Sequence, residues 1–496
     1  MSYLTRVFDA LTGRTRSLDA AGSGRRWPTN GSGKVLSTNQ DIQAGGRTVA
    51  QRAAYYARND SHASAAVAAL VAHAVGCGIK PRSKHPDPTV RAQLHDLWSR
   101  WCETGANGQD FNAALGLAVR SMVEAGEAFA QFVQDDSIEG VPLSVVLIDP
   151  SQVPANWTWD IKPGNLIRSG IEFSPTGRPV AFNILPQNPS DPWLPLDNIY
   201  QPVRVGAEDV IHMFRSLVPG QVRGLSWLAP VVTALRELGD YRDATLAQAK
   251  TASLFCGFIS DPNDDAGGLA MGASADSAGG ADITFEPGTI ATLNPGAKIE
   301  FSKPPDNPNF SAFCVDHLKE IAVGIGVQYS QISGDLREAN YSSMRAGAIE
   351  FRRSIETLQH TIIIPQFLRR VWRRWVKTAV LSGALDASDF FINPTPYLDV
   401  DWFPPSWDWV DPSKDVAATV EAINAGIMSR SQAIAAEGYD AETLDAEIAA
   451  DRAREKAMGL TFTVPSIVAK PQVPPQVPEA QQPRQVSVDS PAGGQP

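Results

Sequence analysis

Residues 317–360, HLKEIAVGIGVQYSQISGDLREANYSSMRAGAIEFRRSIETLQH, contain the patterns of two helices separated by a short connection. The apolar residues that begin the first pattern recur at helical spacing: Phe310, Cys314, Leu318, Ile321 and Ile325. The second helix is predicted to begin at Ser342 or Ser343, either of which can serve as N-cap. It is expected to run until Pro365 kinks or breaks it. The Gly- and Asp-containing residues 329–343 therefore connect two helices.

Upstream of this segment, the pattern of the sequence changes between helical and β-rich regions. Another helix is predicted upstream from one apolar stripe: Leu228, Val231, Val232, Leu235 and Leu238. Residues 46–135 are mostly helical by pattern, whereas residues 140–215 contain short β-rich runs punctuated by turn residues, as in SPTGRP at 174–179. Residues 283–301 also predict short strands. We therefore expect an α+β fold.

The two ends of the chain differ from its middle. Residues 1–45 are rich in Gly, Ser and Thr and mildly basic, which predicts a flexible arm. Residues 411–460 predict an acidic helical block that begins at Asp411 and Pro412. Residues 461–496 are rich in Pro and Gln, and from 471 onward they lack the large apolar residues that a core requires. A disordered tail is expected there.

Composition excludes several classes of protein. The chain has 496 residues, of which 43% are hydrophobic and 20% charged, as in folded soluble proteins. Its formal net charge of −11 argues against a protein that grips nucleic-acid phosphates over its whole surface. The 4 Cys are too few and too scattered for a disulfide framework. No export signal or bilayer-spanning apolar stretch is visible, so we expect no membrane partner.

Motifs for catalysis and metal binding are missing from the sequence. No H-E-x-x-H, paired C-x-x-C or G-x-S-x-G occurs, so we expect no catalytic residue, metal or cofactor. The GSGK segment at 31–34 lacks the rest of a P-loop, and the acidic run 261–265 lacks the Gly and Glu of a calcium loop. His73 and Cys77 have the spacing of two metal ligands on a helix, but no second pair accompanies them. A linker, a solvated loop and buried packing are the favoured interpretations.

A basic helix is the strongest local charge signal. Between Arg345 and Lys377 there are eight positive residues against Glu350 and Glu356. By the i, i+4 rule, one face carries four arginines: Arg369, Arg370, Arg373 and Arg374. Such a face suits DNA phosphates or acidic neighbours in an assembly, and a solvated helix face is the alternative.

Tryptophan residues beside prolines form a second notable group. They are Trp157, Trp159, Trp402, Trp407 and Trp409. Aromatic clusters of this kind can stack bases or sugars. Packing within the protein, or contact between subunits, is the favoured interpretation.

Longer strings of the sequence are similar to those of a known family. They are RNDSHASAAVAALVAHAVGCGIKP (58–81), GRPVAFNILPQNP (177–189), EDVIHMFRSLVPGQVRGLSWLAPV (208–231), EPGTIATLNPGAKIEFSKPPDNPNFSAF (286–313), the opening segment 317–360, IPQFLRRVWRRW (364–375), WDWVDPSKDV (407–416) and GYDAETLDAEIAADRARE (438–455). In this order, across about residues 46–460, they closely resemble the lambda-type portal proteins of tailed bacteriophages. Any one string is a weak signal, whereas this many in order are specific.

The resemblance implies the portal fold, which comprises a wing, a helical stem, a small α/β clip and a helical C-terminal crown. By order along the chain, the expected parts are a flexible basic N-terminal arm (1–45), the wing, helical and then β-rich (46–224), the first stem helix (225–258), the clip (259–308), the second stem helix (309–328), a channel loop (329–343), a long kinked helix that returns to the wing (344–410), an acidic helical crown (411–460) and a Pro/Gln-rich disordered tail (461–496).

The resemblance also implies a function. Family members form a ring, typically a dodecamer, at one vertex of the procapsid, and double-stranded DNA is packaged and ejected through it without sequence specificity. The implied partners are further copies of the chain, DNA, terminase, a head–tail connector and the major capsid or scaffold protein. The implied location is the virion, after assembly in the cytoplasm of the host bacterium.

The candidate site residues form two groups, a channel loop implied by the resemblance and a basic face indicated by the clustering of four arginines. The expected channel-loop residues are Ser333, Gly334, Asp335, Leu336, Arg337, Glu338 and Asn340. The basic face of Arg369, Arg370, Arg373 and Arg374 is expected to lie near DNA or between subunits. Another virion structural protein, such as a head–tail adaptor, is the alternative. An intracellular hydrolase with a spatial Cys/His or carboxylate site is a third interpretation.

Overall fold

A computed structural model describes eight stretches of the chain: residues 37–161, 164–191, 200–253, 257–260, 298–301, 309–337, 341–407 and 412–460. These residues divide into two compact units, with the boundary between Pro405 and Ser406. The first unit contains helices and sheets, and the second is helical. The mixed helix and sheet content confirms the predicted α+β class.

Aspartate side chains cap the N-termini of several helices in the first unit. Asp60 accepts hydrogen bonds from the backbone nitrogens of His62 (3.0 Å) and Ala63 (2.9 Å), and Asp87 and Asp110 cap helices in the same way. The helices in this part of the described chain are α1 (Thr38–Asp41), α2 (Arg47–Asn59), α3 (Ser61–Ala74), α4 (Pro88–Cys102), α5 (Phe111–Ala125), α6 (Val232–Ser253), α7 (Phe310–Ile325), α8 (Tyr329–Ser333), α9 (Tyr341–Leu358), α10 (Arg369–Leu381) and α11 (Thr395–Leu398).

The strands form four antiparallel sheets or pairs. They are β1 (Lys80–Ser83), β2 (Glu127–Gln134), β3 (Leu143–Ile148), β4 (Trp159–Ile161), β5 (Asn165–Arg168), β6 (Ile171–Phe173), β7 (Pro179–Ile184), β8 (Val203–Gly206), β9 (Val210–Phe214), β10 (Gly257–Ser260), β11 (Lys298–Phe301) and β12 (Val400–Phe403). The sheet orders are β3-β2-β9 and β4-β5-β6-β7-β8, with the pairs β1-β12 and β10-β11. The short β-rich runs predicted over residues 140–215 are confirmed.

The two larger sheets pack on a shared apolar cluster. Phe129 on β2 and Phe182 on β7 lie at its centre, with ring centroids 6.0 Å apart and almost no exposure of either side chain. Ile148, Val153 and Ile171 are buried in the same cluster. Burial of such side chains stabilises the arrangement of one sheet on the other by about 2 kcal/mol for each large residue.

A second core consists of aromatic residues. Trp98 contacts Trp101, Trp372, Trp375 and Trp402, with ring centroids between 5.0 and 6.1 Å apart. This cluster joins α4, α10 and β12. Trp402 is therefore a packing residue, as the favoured interpretation of the tryptophan group predicted for it.

The long helix predicted after the connection begins at Tyr341, and Pro365 does not end it. Instead the helix changes to a π-helical segment, Gln359–Leu368, before α10 continues. The wider π turn accommodates the missing N–H and the ring of proline. The buried side chain of Gln359 donates to the carbonyl of Ala74 (3.0 Å), which satisfies one of the last carbonyls of α3.

Two boundaries differ from the sequence prediction. Residues 127–134 lie in the region predicted to be mostly helical, yet they form the central strand β2. Gly126 ends α5 with φ +97°, and the sequence EAFAQFVQ then follows as a strand. Residues 37–45 lie within the predicted flexible arm, but they are helical, because Ser37 and Gln40 form a capping box that begins α1.

The second unit consists of three described helices: α12 (Pro412–Asn424), α13 (Arg430–Ala436) and α14 (Ala441–Met458). Ser429 and Asp440 cap the last two of them through side-chain hydrogen bonds to Gln432 and Thr443. Across the part of the chain that the structure describes, no helix is long and apolar enough to cross a bilayer.

Candidate functional site

A buried ionic network lies between the three-stranded sheet and the segment that leads into α6. The Nε atom of Arg223 donates to both carboxylate oxygens of Glu127, at 2.8 and 2.9 Å, and Nε2 of His212 lies 2.9 Å from Oε2 of Glu127. The backbone nitrogen of Gly224 also donates to this carboxylate, at 3.1 Å. All three side chains are at most 8% exposed. The carboxylate of Glu127 therefore accepts hydrogen bonds from three different residues.

The charge states of this network follow from burial and pairing. Burial acts to raise the pKa of Glu127, but the charge of Arg223 and the hydrogen bond from His212 outweigh it and hold this pKa at about 2. Burial lowers the pKa of His212 despite the opposing effect of Glu127. Because an ionised carboxylate only accepts hydrogen bonds, Nε2 of His212 carries the proton in this contact.

Arg223 also ties distant loops to the network. Its Nη1 donates to the carbonyls of Val153 (2.9 Å) and Ser169 (2.8 Å), which belong to the loop before β4 and the turn between β5 and β6. One guanidinium thus connects both larger sheets to residues 223–231, which lead directly into α6. The position at which α6 begins is therefore determined by a buried charge cluster.

Helices α6 and α7 pack against one another through aromatic side chains. Tyr241 on α6 lies 5.6 Å from Phe310 and 4.5 Å from Phe313 on α7, measured between ring centroids. Other apolar residues on this pair face solvent, including Val323, which is 80% exposed, and Leu246, which is 52% exposed. The helix pair therefore leaves apolar surface uncovered in a single chain.

The predicted channel loop, 329–343, is only partly a loop. Residues 329–333 form the short helix α8, which ends at Gly334 with φ +66°, and α9 already begins at Tyr341. Asp335 pairs with Arg337 at 2.7 Å, and the pKa of Asp335 is lowered to about 2 by hydrogen bonds from Arg337. Leu336 beside them is 55% exposed. Of the predicted residues, Glu338 and Asn340 lie outside the described residues.

His62 connects the short helix α8 to α6 through two contacts of its imidazole ring. Nδ1 of His62 lies 2.9 Å from the carbonyl oxygen of Ile332, and its Nε2 lies 3.1 Å from Nη2 of Arg242. A carbonyl only accepts and a guanidinium only donates, so a single neutral tautomer, with the proton on Nδ1, satisfies both contacts. His62 thereby links α6 to α8.

The structure divides the four arginines of the predicted basic face into two pairs. Arg369 and Arg373 are exposed. Arg370 donates to the carbonyl of Ala207, and Arg374 pairs with Asp209 at 2.9 Å. The inner pair therefore packs on the turn between β8 and β9. The outer pair forms a separate exposed column, which continues with exposed Lys377.

The remaining sequence candidates do not converge on one site. Trp157 and Trp159 contact each other, with ring centroids 4.0 Å apart, far along the chain from the buried Trp402. His73 packs edge-on against Phe351, and Cys77 is exposed. Within the described ranges, no group of three His, Cys, Asp or Glu side chains is arranged to hold a metal ion. The GSGK segment, the acidic run 261–265 and Trp409 lie outside the described residues.

The buried network of Glu127, His212 and Arg223 was not predicted from the sequence. Its members come from the start of β2, the middle of β9 and the loop before α6, so no local spacing relates them. One signal was available. Glu127 is followed by three apolar residues in its strand, and His212 is the one polar residue of its strand, and buried charges of this kind need partners.

Comparison with known proteins gives a consistent result. Residues 27–359 match the family model described as phage portal protein, lambda family. The probable portal protein of Halomonas phage phiHAP-1 is 25% identical over 488 residues, which cover 93% of this chain and 87% of that protein. Portal protein B of Escherichia phage lambda is 21% identical over 320 residues, or 59% of each chain.

Solved structures with partial similarity include the neck of a native GTA particle with C12 symmetry. It has 16% sequence identity and a TM-score of 0.45, and the alignment covers 91% of this chain and 100% of that chain. An HK97 family phage portal protein from Corynebacterium diphtheriae has 11% identity and a TM-score of 0.31. The family model alone spans well over half of the sequence, and the chain therefore belongs to the lambda family of phage portal proteins.

Proposed function

We propose that this portal protein assembles into a ring of about twelve copies at one vertex of the capsid. In this proposal, double-stranded DNA is packaged and ejected through the ring without sequence specificity. The observation that carries it is membership of the portal family, which rests on a match over residues 27–359. We further propose that the ring is part of the virion after assembly in the cytoplasm of the host bacterium.

The uncovered apolar surface of α6 and α7 supports assembly. A single chain leaves Val323 and Leu246 largely exposed on two helices that already pack against each other. Large exposed apolar residues on a regular helix pair are typical of surfaces that are covered in an assembly. We propose that 225–258 and 309–328 are the stem helices and that neighbouring copies cover these side chains.

We propose that the segment after α7 faces the passing DNA. Leu336 and Arg337 are exposed and Asp335 is half-buried, while Ser333 and Gly334 end the short helix that precedes them. Pairing of Arg337 with its own neighbour reduces its availability to phosphates. A loop with this charge balance contacts DNA without holding it, which suits a conduit.

The charge of the whole chain agrees with a sliding contact. Twelve copies, each with a formal charge of −11, carry a total of about −130. A ring with this charge repels a polyanion except where local basic groups approach it. For Arg369 and Arg373, the exposed outer pair, we propose contacts with DNA or with a neighbouring subunit.

The other parts of the portal organisation are assigned by order along the chain. We propose that residues 46–224 and 344–410 form the wing, 259–308 the clip and 411–460 the crown. Terminase, a head–tail connector and the major capsid or scaffold protein are the proposed docking partners. The chain acts in this proposal as a structural component, and the hydrolysis of ATP belongs to the terminase.

Native mass spectrometry of the purified full chain, with negative-stain images, tests the central proposal. The expected result is a ring of about twelve chains of 53.3 kDa each, with an axial hole. A monomer or dimer that persists across salt and protein concentration contradicts it.

A further inference from the structure

A cavity of about 440 Å³ lies where β7, β9 and the end of the π-helical segment meet. Its apolar walls include Pro179, Phe182 and Phe214. Its polar groups include Glu208, Gln366 and Arg370. The cavity thus combines an apolar lining with one cation, Arg370, and one carboxylate, Glu208, and a few polar groups on an apolar lining are typical of sites that fix the orientation of a small ligand.

Arg370 lacks a negative partner in this cavity. Its recorded hydrogen bond goes to the carbonyl of Ala207, and no carboxylate within the described residues lies in ion-pair distance of its guanidinium. Burial lowers the pKa of Arg370, because it removes water from around the charged guanidinium. A partly buried cation that meets only a carbonyl is incompletely compensated, because a carbonyl dipole replaces only part of the lost hydration.

A second arginine on the same helix, Arg374, has the carboxylate partner that Arg370 lacks. Arg374 lies one turn further along α10 and pairs with Asp209 at 2.9 Å. Of the two arginines, Arg374 has a carboxylate partner and does not line the cavity, whereas Arg370 lines the cavity and donates to a carbonyl. Arg374 therefore serves as a matched reference for Arg370.

Nearby carboxylates do not supply the missing charge. Glu127 lies behind His212, which lines the cavity, but its oxygens are held by Arg223 at 2.8 and 2.9 Å. Glu208 lines the cavity and is exposed, and it forms no recorded ion pair with Arg370. The negative charge of Glu208 therefore opposes the entry of an anion.

Gln366 provides a second donor in the same wall. Its Oε1 accepts a hydrogen bond from the backbone nitrogen of Phe214 at 2.9 Å. Because this contact assigns the oxygen, the amide NH2 of Gln366 is the group left for a ligand. A guanidinium and an amide NH2 together present donors only, and a carboxylate presents acceptors only.

We propose that this cavity binds a small carboxylate carried on an apolar body, with Arg370 and Gln366 donating to the carboxylate and the walls of Pro179 and Phe214 contacting the apolar part. The proposal is independent of ring formation and DNA passage. It assigns a ligand class to a part of the molecule that the conduit role leaves unexplained.

Benzoate is the probe, and neutral benzamide of the same shape is its control. Isothermal titration calorimetry with the full chain is expected to show saturable binding of benzoate and binding of benzamide at least about ten-fold weaker, since a charge-assisted hydrogen bond is worth roughly 1.5–3 kcal/mol. Equal binding of the two probes, or no binding of benzoate, overturns the proposal.

Single substitutions test whether benzoate binds in this cavity. Arg370→Met is expected to weaken benzoate at least about ten-fold, while Arg374→Met leaves the affinity within about two-fold. Glu208→Gln is expected to strengthen benzoate binding, because a competing carboxylate is removed. Unchanged affinity in Arg370→Met contradicts the assignment. Should Arg370→Met fail to fold, Glu208→Gln and the benzamide comparison decide, and weaker or unchanged benzoate binding in Glu208→Gln counts against the site.

Discussion

Glu127 and Arg223 stand 96 residues apart in the chain and form a two-pronged ion pair that is almost completely buried. Glu127 opens the central strand of the three-stranded sheet, and Arg223 lies just before the segment that enters α6. The pair therefore joins the sheet to the start of the helix that we assign to the stem. A buried pair of this kind stabilises a fold only while both partners are present.

Removal of one charge from this pair is expected to be costly. Glu127→Gln leaves the guanidinium of Arg223 buried without a counter-charge, so the free energy of unfolding should fall by about 3–5 kcal/mol. Chemical denaturation followed by circular dichroism measures the difference. The control is Asp96→Asn, which removes the exposed pair of Asp96 with Arg100 and should cost about 0.5 kcal/mol or less. Equal losses in the two variants contradict a special role for the buried pair.

The same pair predicts how stability depends on acid. The pKa of Glu127 is about 2 in the folded chain and close to the ordinary glutamate value of 4.5 in the unfolded chain. A lowered folded pKa stabilises the fold above pH 4.5, and this stabilisation is lost as the pH falls from 4.5 towards 2. The advantage of the unsubstituted chain over Glu127→Gln should therefore be constant above about pH 5.5 and shrink below pH 4.5. Urea unfolding at several pH values tests this, and a constant difference contradicts it.

Gly126, which precedes Glu127 of the buried network, is a position where a side chain should collide with the backbone. Gly126 has φ +97°, and a Cβ at this position would lie 2.6 Å from the backbone nitrogens of Leu225 and Ser226. Gly126→Ala should lower the free energy of unfolding by about 3 kcal/mol or more, since backbone strain and a collision add. Gly140 has φ +86° but open space around it, so Gly140→Ala should cost only about 1 kcal/mol. Similar losses in thermal unfolding would remove the argument from close packing.

Much of the local structure could be predicted because its causes are local. The β-rich runs predicted within 140–215 correspond to β3, β5–β7 and β9, and the stripe from Leu228 to Leu238 runs from the turn before α6 into its first turns. The strand β2 was assigned to a helical region, because its boundary depends on the positive φ of Gly126 and on pairing with strands from both sides. Periodicity within a window contains neither of these causes.

Prediction of the candidate site was limited by tertiary contacts. The i, i+4 rule groups the four arginines by their spacing along a helix, but it does not show that Asp209 and the carbonyl of Ala207 contact two of them. The partners of Arg223 and Glu127 come from three different strands and loops. Such groupings depend on sheet register and on the path of loops, which local sequence does not specify.

The N-terminal segment provides a prediction about local stability. The side chain of Asn39 donates to the carbonyl of Gly220 (2.8 Å) and accepts from the backbone nitrogen of Val222 (2.9 Å). Asn39→Ala should release residues 38–46, with faster amide hydrogen exchange there and a loss of about 1–2 kcal/mol in local protection. The control is Asn59→Ala, whose side chain bonds only within its own helix, to the carbonyl of Tyr55. Unchanged exchange over 38–46 contradicts an anchoring role.

Charge reversal distinguishes the role of the outer pair of arginines from that of the inner pair. Arg369 and Arg373 are exposed, so the double variant Arg369→Glu with Arg373→Glu should fold with a free energy of unfolding within about 1 kcal/mol of the unsubstituted chain. If the outer pair contacts DNA or a neighbouring subunit, the same variant should lose either DNA packaging or the ring itself. Native mass spectrometry detects loss of the ring, and a packaging assay with intact rings detects loss of DNA contact.

The inner pair is the matched control for this experiment. Arg374→Glu replaces the guanidinium that lies 2.9 Å from Oδ1 of Asp209 with a second carboxylate, so it should destabilise the single chain by about 1–3 kcal/mol before assembly is affected. Reversal of the outer pair that leaves both the ring mass and packaging unchanged contradicts the proposed contact. The contrast between the two variants distinguishes a surface used in assembly or DNA passage from one used in folding, although all four arginines lie on one side of one helix.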